Sequence, residues 1–318
     1  MQVLYAIPPA KSHLQRLASL RRRLRTELIL IIDHPSQIDL LGNVSSDTST
    51  WPIFINVDCG DCREGIRLES GRLQALIEHA SQSNTVYIYG FYTHAGHSYS
   101  VASQAEAQDH LRNEIEHVRA AADLCRKLPA GRGLHLTLSV GATPTAHAAP
   151  IVLDSESKQA GGDTTTTLEL HAGNFAILDL QQTSTTLAPI SHIASWIEGE
   201  VLSVYPERRE VLVNIGALGI GREPGREAGV WGLAKLVTPD STGEEGEGYS
   251  WNLARLSQEH GILMPRDPGV GVGDVEVGTR VRVLPQHACI AGAMHEAYLV
   301  VEEEEGVCVD EWVRCRGW

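Results

Sequence analysis

Several charge patterns and segment types are missing from this sequence. Lys and Arg total 26 against 40 Asp and Glu, a formal charge of -14, so the basic excess that favours nucleic-acid backbones or anionic lipid is absent. The longest apolar runs, such as Leu28 to Ile32, are far shorter than the roughly 20 residues that a membrane helix needs, and no charged-then-apolar secretory leader is present. We therefore expect a cytoplasmic protein whose partners are small molecules, with no nucleic acid and no membrane among them.

The cysteines lack the arrangement of a disulfide framework, because they are scattered over a long chain. One Cys-x-x-Cys is present, Cys59 to Cys62, and a redox dithiol or a zinc knuckle would use such a pair. No second Cys-x-x-Cys and no thioredoxin-like unit accompanies it, so a strand end that turns into a loop is the favoured interpretation. The cysteines are Cys59, Cys62, Cys125, Cys289, Cys308 and Cys315.

Short apolar segments alternate with helical ones through the first half of the chain. This alternation is typical of βα units and predicts a parallel sheet or barrel. A long helix is predicted over Gln104 to Leu128, because its apolar residues recur at steps of three and four. The strand candidates are Val3 to Ile7, Leu28 to Asp33, Ile53 to Asp58, Val86 to Tyr92, Leu134 to Val140 and Leu168 to His171.

The first of these strands begins almost at Met1, and a predicted helix, Lys11 to Arg25, follows it directly. An interior element so close to the first residue leads us to expect that the natural chain begins further upstream. Further along, Ser155 to Thr167 is polar and rich in Gly and Thr, which predicts a surface insertion.

From about Ser191 the pattern changes to that of a β protein. We therefore predict two domains, an α/β domain over residues 1–190 and a β domain over residues 191–318. The strand candidates of the second domain are Trp196 to Val204, Glu210 to Ile215, Val281 to Pro285 and Ala297 to Val301.

A histidine and a cysteine, His287 and Cys289, follow one of these strands at a spacing of two. In an extended segment, residues two apart project to the same face, so an imidazole and a thiolate could bind one zinc ion. Two ligands are too few for a closed structural site, so such an ion would keep positions for water or substrate. Taken alone, this pair is a weak signal, and a packed histidine beside a buried small thiol is the favoured interpretation.

Three loops of small or hydroxyl residues follow predicted strands. The glycines of Ser139 to Thr145 and of His171 to Asn174 could let backbone N–H groups approach an anion. The third loop, Tyr92 to Tyr99, brings two phenols and two imidazoles. At the carboxyl ends of parallel strands such loops can form a phosphate-binding cup. For each loop taken alone, an ordinary turn is the favoured interpretation.

Taken together and in this order, these segments resemble the eukaryotic D-serine dehydratases, which belong to the alanine-racemase-like class of pyridoxal-phosphate (PLP) enzymes. The resemblance implies an α/β fold with a (β/α)8-type PLP-binding barrel, a C-terminal β domain and a homodimer. It also implies that PLP and Zn2+ serve the β-elimination of D-serine to pyruvate and ammonia. The similar strings, which span nearly the whole chain, are Tyr89-Gly-Phe-Tyr-Thr-His-Ala-Gly-His-Ser-Tyr99, Ser139-Val-Gly-Ala-Thr-Pro-Thr145, Glu169-Leu-His-Ala-Gly-Asn174, Ser203-Val-Tyr-Pro-Glu-Arg208, Arg255-Leu-Ser-Gln-Glu-His-Gly261 and Pro285-Gln-His-Ala-Cys289.

The resemblance also implies individual roles. His287 and Cys289 would bind zinc, and the ion would hold the substrate's hydroxyl and carboxylate groups. Related D-threonine aldolases carry Asp where Cys289 stands, so the thiolate favours dehydration. The residues that would contact PLP are Tyr92, Tyr99, Thr143, Gly173 and Asn174, with Arg63 near the cofactor in a segment that departs from the family pattern at Cys62 and Glu64.

The lysine that binds PLP covalently in this class, and usually moves the α-proton, has no counterpart in a matching motif, so no catalytic residue is assigned. The match begins near the family's third strand, and six barrel strands are counted where eight are expected, so we expect the first two βα units to be absent. Three hypotheses stay open: a truncated lyase, a lysine-less pseudoenzyme that binds zinc or PLP, and a related D-threonine aldolase or racemase. The lysines present are Lys11, Lys127, Lys158 and Lys235.

Overall fold

The computed structural model describes residues 2–44, 50–159, 165–226, 229–237, 248–302 and 307–315, with the backbone alone over 155–159. The chain divides into two compact units, Met1–Gly173 and Asn174–Trp318. In the described residues no helix is both long and apolar enough to cross a membrane.

The first unit contains a six-stranded sheet whose order follows the chain from β1 to β6, and all neighbouring strands are parallel. The six strands predicted from the sequence are thereby confirmed, with small shifts at their ends. The eight-strand barrel and its two absent units stay predictions. The strands are β1 (Val3–Tyr5), β2 (Leu28–Ile32), β3 (Trp51–Asn56), β4 (Val86–Tyr92), β5 (Leu136–Val140) and β6 (Thr166–Leu170).

Helices follow the strands of this sheet, so the predicted βα alternation is confirmed. The longest helix, α4, presents its apolar stripe to the core, and Leu111, Ile115 and Val118 are at most 1% exposed. The strands β2 and β3 are buried along their whole length. The helices are α1 (Leu14–Arg23), α2 (Pro35–Gly42), α3 (Gly71–Gln82), α4 (Gln104–Lys127) and α5 (Thr143–Gln159).

The predicted surface insertion over Ser155 to Thr167 is wrong at both ends. Helix α5 continues to Gln159, and β6 already begins at Thr166. Residues 160–164 lie outside the described residues. The polar composition of this segment misled the prediction because the end of a helix and an edge strand can be as polar as a loop.

The second unit is built on a closed antiparallel barrel with strand order β10-β11-β8-β7-β12-β9. Its interior is apolar, and Val211, Leu253 and Val283 are completely buried. The barrel strands are β7 (Ile197–Tyr205), β8 (Glu210–Val213), β9 (Gly232–Val237), β10 (Trp251–Leu256), β11 (Gly261–Pro265) and β12 (Arg280–Pro285). The other elements are α6 (Leu180–Thr183), α7 (Ala217–Ile220), α8 (Ala288–Ala293) and the hairpin β13 (Ala297–Glu302) with β14 (Val307–Val313).

The segment 174–190 packs with the second unit, whereas the predicted boundary after residue 190 assigned it to the first. Leu178 and Leu180 share a hydrophobic cluster with Leu284 of strand β12. Burial of these apolar side chains therefore places the division between the units before Asn174, earlier than the change in sequence pattern suggests.

Candidate functional site

Polar side chains of three neighbouring strands meet at the carboxyl edge of the parallel sheet. Tyr92 of β4 lies opposite Ser139 of β5, and Ser139 lies opposite Glu169 of β6. Equivalent ends of parallel strands share one edge, so residues from distant parts of the sequence become neighbours here.

A stack of rings lies at this edge. The ring of His171, which follows β6, is stacked on Tyr92 with centroids 4.5 Å apart and planes 11° apart. The imidazole of His94, which follows β4, lies on the same stack with its centroid 6.0 Å from that of His171. The stack offers flat surfaces of the size of one aromatic ring.

The hydrogen bonds of His171 fix which ring nitrogen carries its proton. The hydroxyl of Ser139 donates to the Oε1 atom of Glu169 at 2.7 Å, and the same Oγ atom lies 3.0 Å from Nδ1 of His171. Since a hydroxyl has a single proton and that of Ser139 goes to Glu169, we assign Nδ1–H of His171 as the donor to Ser139. The Nε2 atom of His171 is then an acceptor, and it is buried without a hydrogen-bond partner among the described residues.

Both histidines of the stack are held in the neutral form. Burial, with the nearby charge of His94, lowers the pKa of His171 to about 3. Burial and the charge of Arg63 likewise lower the pKa of His94, although its Nδ1 atom donates to the carbonyl of Gly141 at 2.8 Å. Near neutral pH these rings are therefore uncharged.

A carboxylate from helix α4 ties together the loops that follow β4 and β5. The Oε1 atom of Glu114 accepts hydrogen bonds from the backbone N–H groups of Ala95 at 2.9 Å and Gly141 at 3.0 Å. Glu114 is 0% exposed, and burial raises its pKa to about 7 against the opposing effects of the Thr145 hydroxyl and the two N–H groups. Because one carboxylate oxygen bonds to both, the Glu114 side chain fixes the distance between the loop after β4 and the loop after β5.

The loop after β3 is organised by another carboxylate. The Oδ1 atom of Asp58 accepts from the N–H groups of Gly60 and Cys62 at 2.9 and 3.0 Å. Although burial opposes it, these bonds and Arg67 lower the pKa of Asp58. The neighbouring Arg63 is half-exposed and pairs with Glu64 at 2.9 Å.

The two sulfurs of the Cys-x-x-Cys segment have different surroundings. Cys59 is buried, its thiol donates to the carbonyl of His94 at 3.5 Å, and burial raises its pKa to about 11. Cys62 is exposed and accepts a hydrogen bond from Arg67 at 3.2 Å. Both cysteines are free, and Cys59 serves as a packed, protonated thiol.

The second unit contains the predicted metal ligands, and here one argument from the sequence was wrong. His287 has extended dihedrals, but it is the N-cap of helix α8, and Cys289 is already the second residue of that helix. Alternation along a strand therefore does not set the directions of their side chains. The Nδ1 atom of His287 is buried without a partner in the described part of the chain, and burial together with Asp179 raises the pKa of Cys289.

Comparisons with known proteins assign the chain to a family. The model of the "Putative serine dehydratase domain" matches residues 194–301, and that of the "Alanine racemase, N-terminal domain" matches residues 11–155. The D-serine dehydratase of Schizosaccharomyces pombe is 36% identical over 326 residues, which cover 99% of this chain and 74% of that protein. The D-serine dehydratase of Saccharomyces cerevisiae is also 36% identical, over 95% of this chain and 71% of its own length. The chain belongs to the D-serine dehydratase family.

A solved structure of this kind shows the same fold. The D-threo-3-hydroxyaspartate dehydratase of Delftia sp., as a cysteine-to-alanine variant in the metal-free form, superimposes with a TM-score of 0.79. It is 25% identical, and the match covers 99% of this chain and 79% of that one. An alanine-racemase-like parallel sheet with a C-terminal β unit, as the sequence predicted, is thus confirmed for this member of the D-serine dehydratase family.

Within this D-serine dehydratase family member, the predicted cofactor residues occupy distinct places. Tyr92 belongs to the ring stack, and Tyr99 lies in the short 3-10 helix Gly96–Ser100, with its ring 6.4 Å from that of His94. Thr143 is buried at the first turn of α5. A side chain at Gly173 would meet nothing within 4 Å, so its backbone is accessible.

The sequence assigned no role to four residues described above, which are His94, Glu114 and His171 in the first unit and Asp179 in the second. Both histidines stood in segments that had been singled out, but no role had been assigned to them. Glu114 had a detectable signal, because it lies among Leu111, Ile115 and Val118 on the apolar face of α4. Asp179 had none, since an acidic residue before a short helix is an ordinary N-cap.

Proposed function

We propose that the chain is a PLP- and zinc-dependent lyase that removes water from D-serine, with pyruvate and ammonia as products. The observation that carries the proposal is the stack of Tyr92, His171 and His94 at the carboxyl ends of the strands, in a member of the D-serine dehydratase family. PLP, when bound, supplies an electron sink for bonds broken at the substrate's α-carbon.

The fit of PLP is supported by two features of the first unit. The buried Nε2 atom of His171 can accept one hydrogen bond from an N–H or O–H donor. Thr143 begins a helix of 17 residues, and its N–H groups and dipole favour a phosphate. We assign contact with PLP to Tyr92, Tyr99, Thr143, Gly173 and Asn174, with Arg63 as the nearby cation.

For zinc we assign His287 and Cys289. Imidazole nitrogen and thiolate sulfur are the donors that zinc prefers, and the buried Nδ1 atom of His287 lacks another partner in the described part of the chain. Across the described residues, no group of three or more His, Cys, Asp or Glu is arranged to hold a metal ion. The pair alone leaves positions for water or substrate, as an ion that polarises a hydroxyl requires. The metal-free cysteine-to-alanine variant of the Delftia relative supports a cysteine-containing metal site in such enzymes.

One observation favours a second function, that of a PLP- and zinc-binding module without lyase activity. None of the lysines stands in the motif of the PLP-binding lysine. Lys127 is the last residue of α4, a helix that starts after the carboxyl end of β4, and so belongs to the opposite edge of the sheet. Lys235 lies over the ring of Tyr249 in the second unit. Lys11 follows β1 and is the one candidate at the carboxyl edge among the lysines whose side chains are described.

The test compares binding with turnover. The purified chain is loaded with PLP and Zn2+, and pyruvate from D-serine is followed beside glycine from D-threonine and product from D-threo-3-hydroxyaspartate. Pyruvate release that is lost in His287→Ala supports the lyase. Stoichiometric binding without product supports the binding module, and a chain that binds neither PLP nor zinc refutes both.

Borohydride reduction adds a second measurement to this test. A covalent PLP adduct that survives in the wild type and disappears in Lys11→Met would identify Lys11 as the attachment point. An adduct that persists in Lys11→Met would show that PLP is attached to another lysine.

A further inference from the structure

A single buried carboxylate in the second unit connects two parts of the proposed site. Asp179 is 0% exposed, and its Oδ1 atom accepts from the N–H group of Gln182 at 2.9 Å. Its Oδ2 atom accepts from the N–H group of Ala288 at 2.8 Å and from Nδ2 of Asn174 at 2.5 Å. Three donors thus compensate for the cost of burying this carboxylate.

The bond to Ala288 has a particular location. Ala288 stands between the two proposed zinc ligands, His287 and Cys289, and is the first residue of helix α8. Its N–H group belongs to the first turn, where no partner exists within the helix. The N-cap residue, His287, makes no hydrogen bond from its own side chain to this turn. Asp179 therefore caps α8 from 109 positions away in the sequence.

The consequence for the two ligands is geometric. The hydrogen bond fixes the peptide between them, so that His287 keeps its extended dihedrals while Cys289 enters the first helical turn. The same Oδ2 atom fixes the side chain of Asn174, which we assign to the cofactor. One carboxylate oxygen thus sets the orientation of the metal-binding segment and of a cofactor-binding side chain.

We propose that Asp179 is a positioning residue that holds His287 and Cys289 ready for zinc and couples them to Asn174. The inference rests on the proposed function, because it requires zinc at this pair. Residues that orient metal ligands typically change metal affinity by about 10- to 100-fold when they are replaced. A cap with a purely structural role would lower the melting temperature and leave the affinity of the folded protein for zinc unchanged.

The experiment measures metal binding by the full chain rather than turnover. Zinc affinity is obtained by competition with a chromophoric chelator, and Co2+ is used as a probe whose sulfur-to-metal charge-transfer absorption reports on bound Cys289. For Asp179→Asn we expect zinc binding weakened by at least about 10-fold and a shifted or weaker Co2+ absorption. Both oxygens of Asp179 accept N–H groups, so the amide nitrogen of the variant would face the N–H group of either Gln182 or Ala288.

The matched control is Glu210→Gln. Glu210 is another buried carboxylate of the second unit, but its partners are Arg208 at 3.1 Å and Arg255. This variant should lose thermal stability and keep its zinc affinity within about twofold.

A second variant removes the same hydrogen bond from the other side. Ala288→Pro deletes the N–H group, and proline is tolerated at the first residue of a helix when the preceding residue is extended, as His287 is. If Asp179→Asn fails to fold, weakened zinc binding by Ala288→Pro still supports the proposal.

Two outcomes would overturn the positioning role of Asp179, and they differ in what they imply for the zinc site. Wild-type affinity in folded Asp179→Asn and Ala288→Pro, beside lost binding in Cys289→Ala, refutes the positioning role alone. A wild type that binds zinc no better than Cys289→Ala refutes the zinc site, and with it both the inference and the zinc-dependent part of the proposed function.

Discussion

The imidazole of His171 lies flat against the phenol ring of Tyr92, with ring centroids 4.5 Å apart and planes 11° apart. Parallel stacking of this kind suits an uncharged imidazole that is shielded from water, and burial lowers the pKa of His171 accordingly. Ser139 completes the arrangement because its hydroxyl oxygen accepts a hydrogen bond from Nδ1–H of His171, which leaves Nε2 as an acceptor. The pair therefore presents a neutral hydrogen-bond acceptor at the edge of a flat apolar surface.

The state of this ring can be measured directly. Nitrogen-15 NMR of labelled histidine should show His171 as the Nδ1–H form, uncharged down to about pH 4. A histidine in the unfolded chain has a pKa of about 6.5. Ser139→Ala removes the acceptor for Nδ1–H and should reduce the preference for this form. A His171 that gains its proton near pH 6.5 would contradict the assignment.

Glu114 should make stability fall as the pH rises. Its folded pKa, about 7, lies above the ordinary value of 4.5, so its stabilising contribution is complete below pH 4.5 and is lost as the pH rises to 7 and beyond. The loss amounts to about 3 kcal/mol at 1.36 kcal/mol per pKa unit. Urea unfolding of wild type and Glu114→Gln from pH 4 to 8 isolates the effect, because the amide still accepts from Ala95 and Gly141 but does not titrate. Identical pH dependences would show that Glu114 ionises normally.

Gly141 should not tolerate a side chain. Its φ is +141°, and a Cβ atom would lie 2.2 Å from the carbonyl oxygen of His171. We expect Gly141→Ala to lower the free energy of unfolding by about 3 kcal/mol through backbone strain and overpacking. Gly71→Ala is the matched control, because Gly71 begins α3 and a Cβ there would meet nothing within 4 Å. Equal stability of the two variants, measured by urea unfolding, would be the contrary result.

Arg63 should act on the site through its charge. Burial is the largest cause that lowers the pKa of His94, and the charge of Arg63 is the second largest. Arg63→Gln should therefore raise the pKa of His94 in an NMR titration and weaken PLP binding about fivefold, which corresponds to about 1 kcal/mol for an exposed charge. Arg67→Gln is the control, since Arg67 pairs with Asp58 in the same loop. A PLP affinity that falls equally in both variants would argue for a general effect of loop charge.

Local patterns in the sequence were sufficient for the framework of the first unit. Leu28–Ile32 is an uninterrupted run of five apolar residues, and a run of this length is typical of a strand covered on both faces. The stripe of α4 was equally informative, because Leu111, Ile115 and Val118 recur at helical spacing. The prediction from polarity was wrong at Ser155 to Thr167, since the end of a helix and the start of an edge strand can be as polar as a loop.

The sequence by itself determined the family, the six parallel strands and the segments in which the site residues lie, because these follow from motifs and from apolar periodicity along neighbouring residues. Only the tertiary structure decided which buried side chains hold those segments in place through hydrogen bonds. Glu114 reaches Gly141 across 27 positions, and Asp179 reaches Ala288 across 109. Each is a buried carboxylate that is stable only where the fold supplies N–H donors, and no local pattern can show which distant backbone groups will be left without partners.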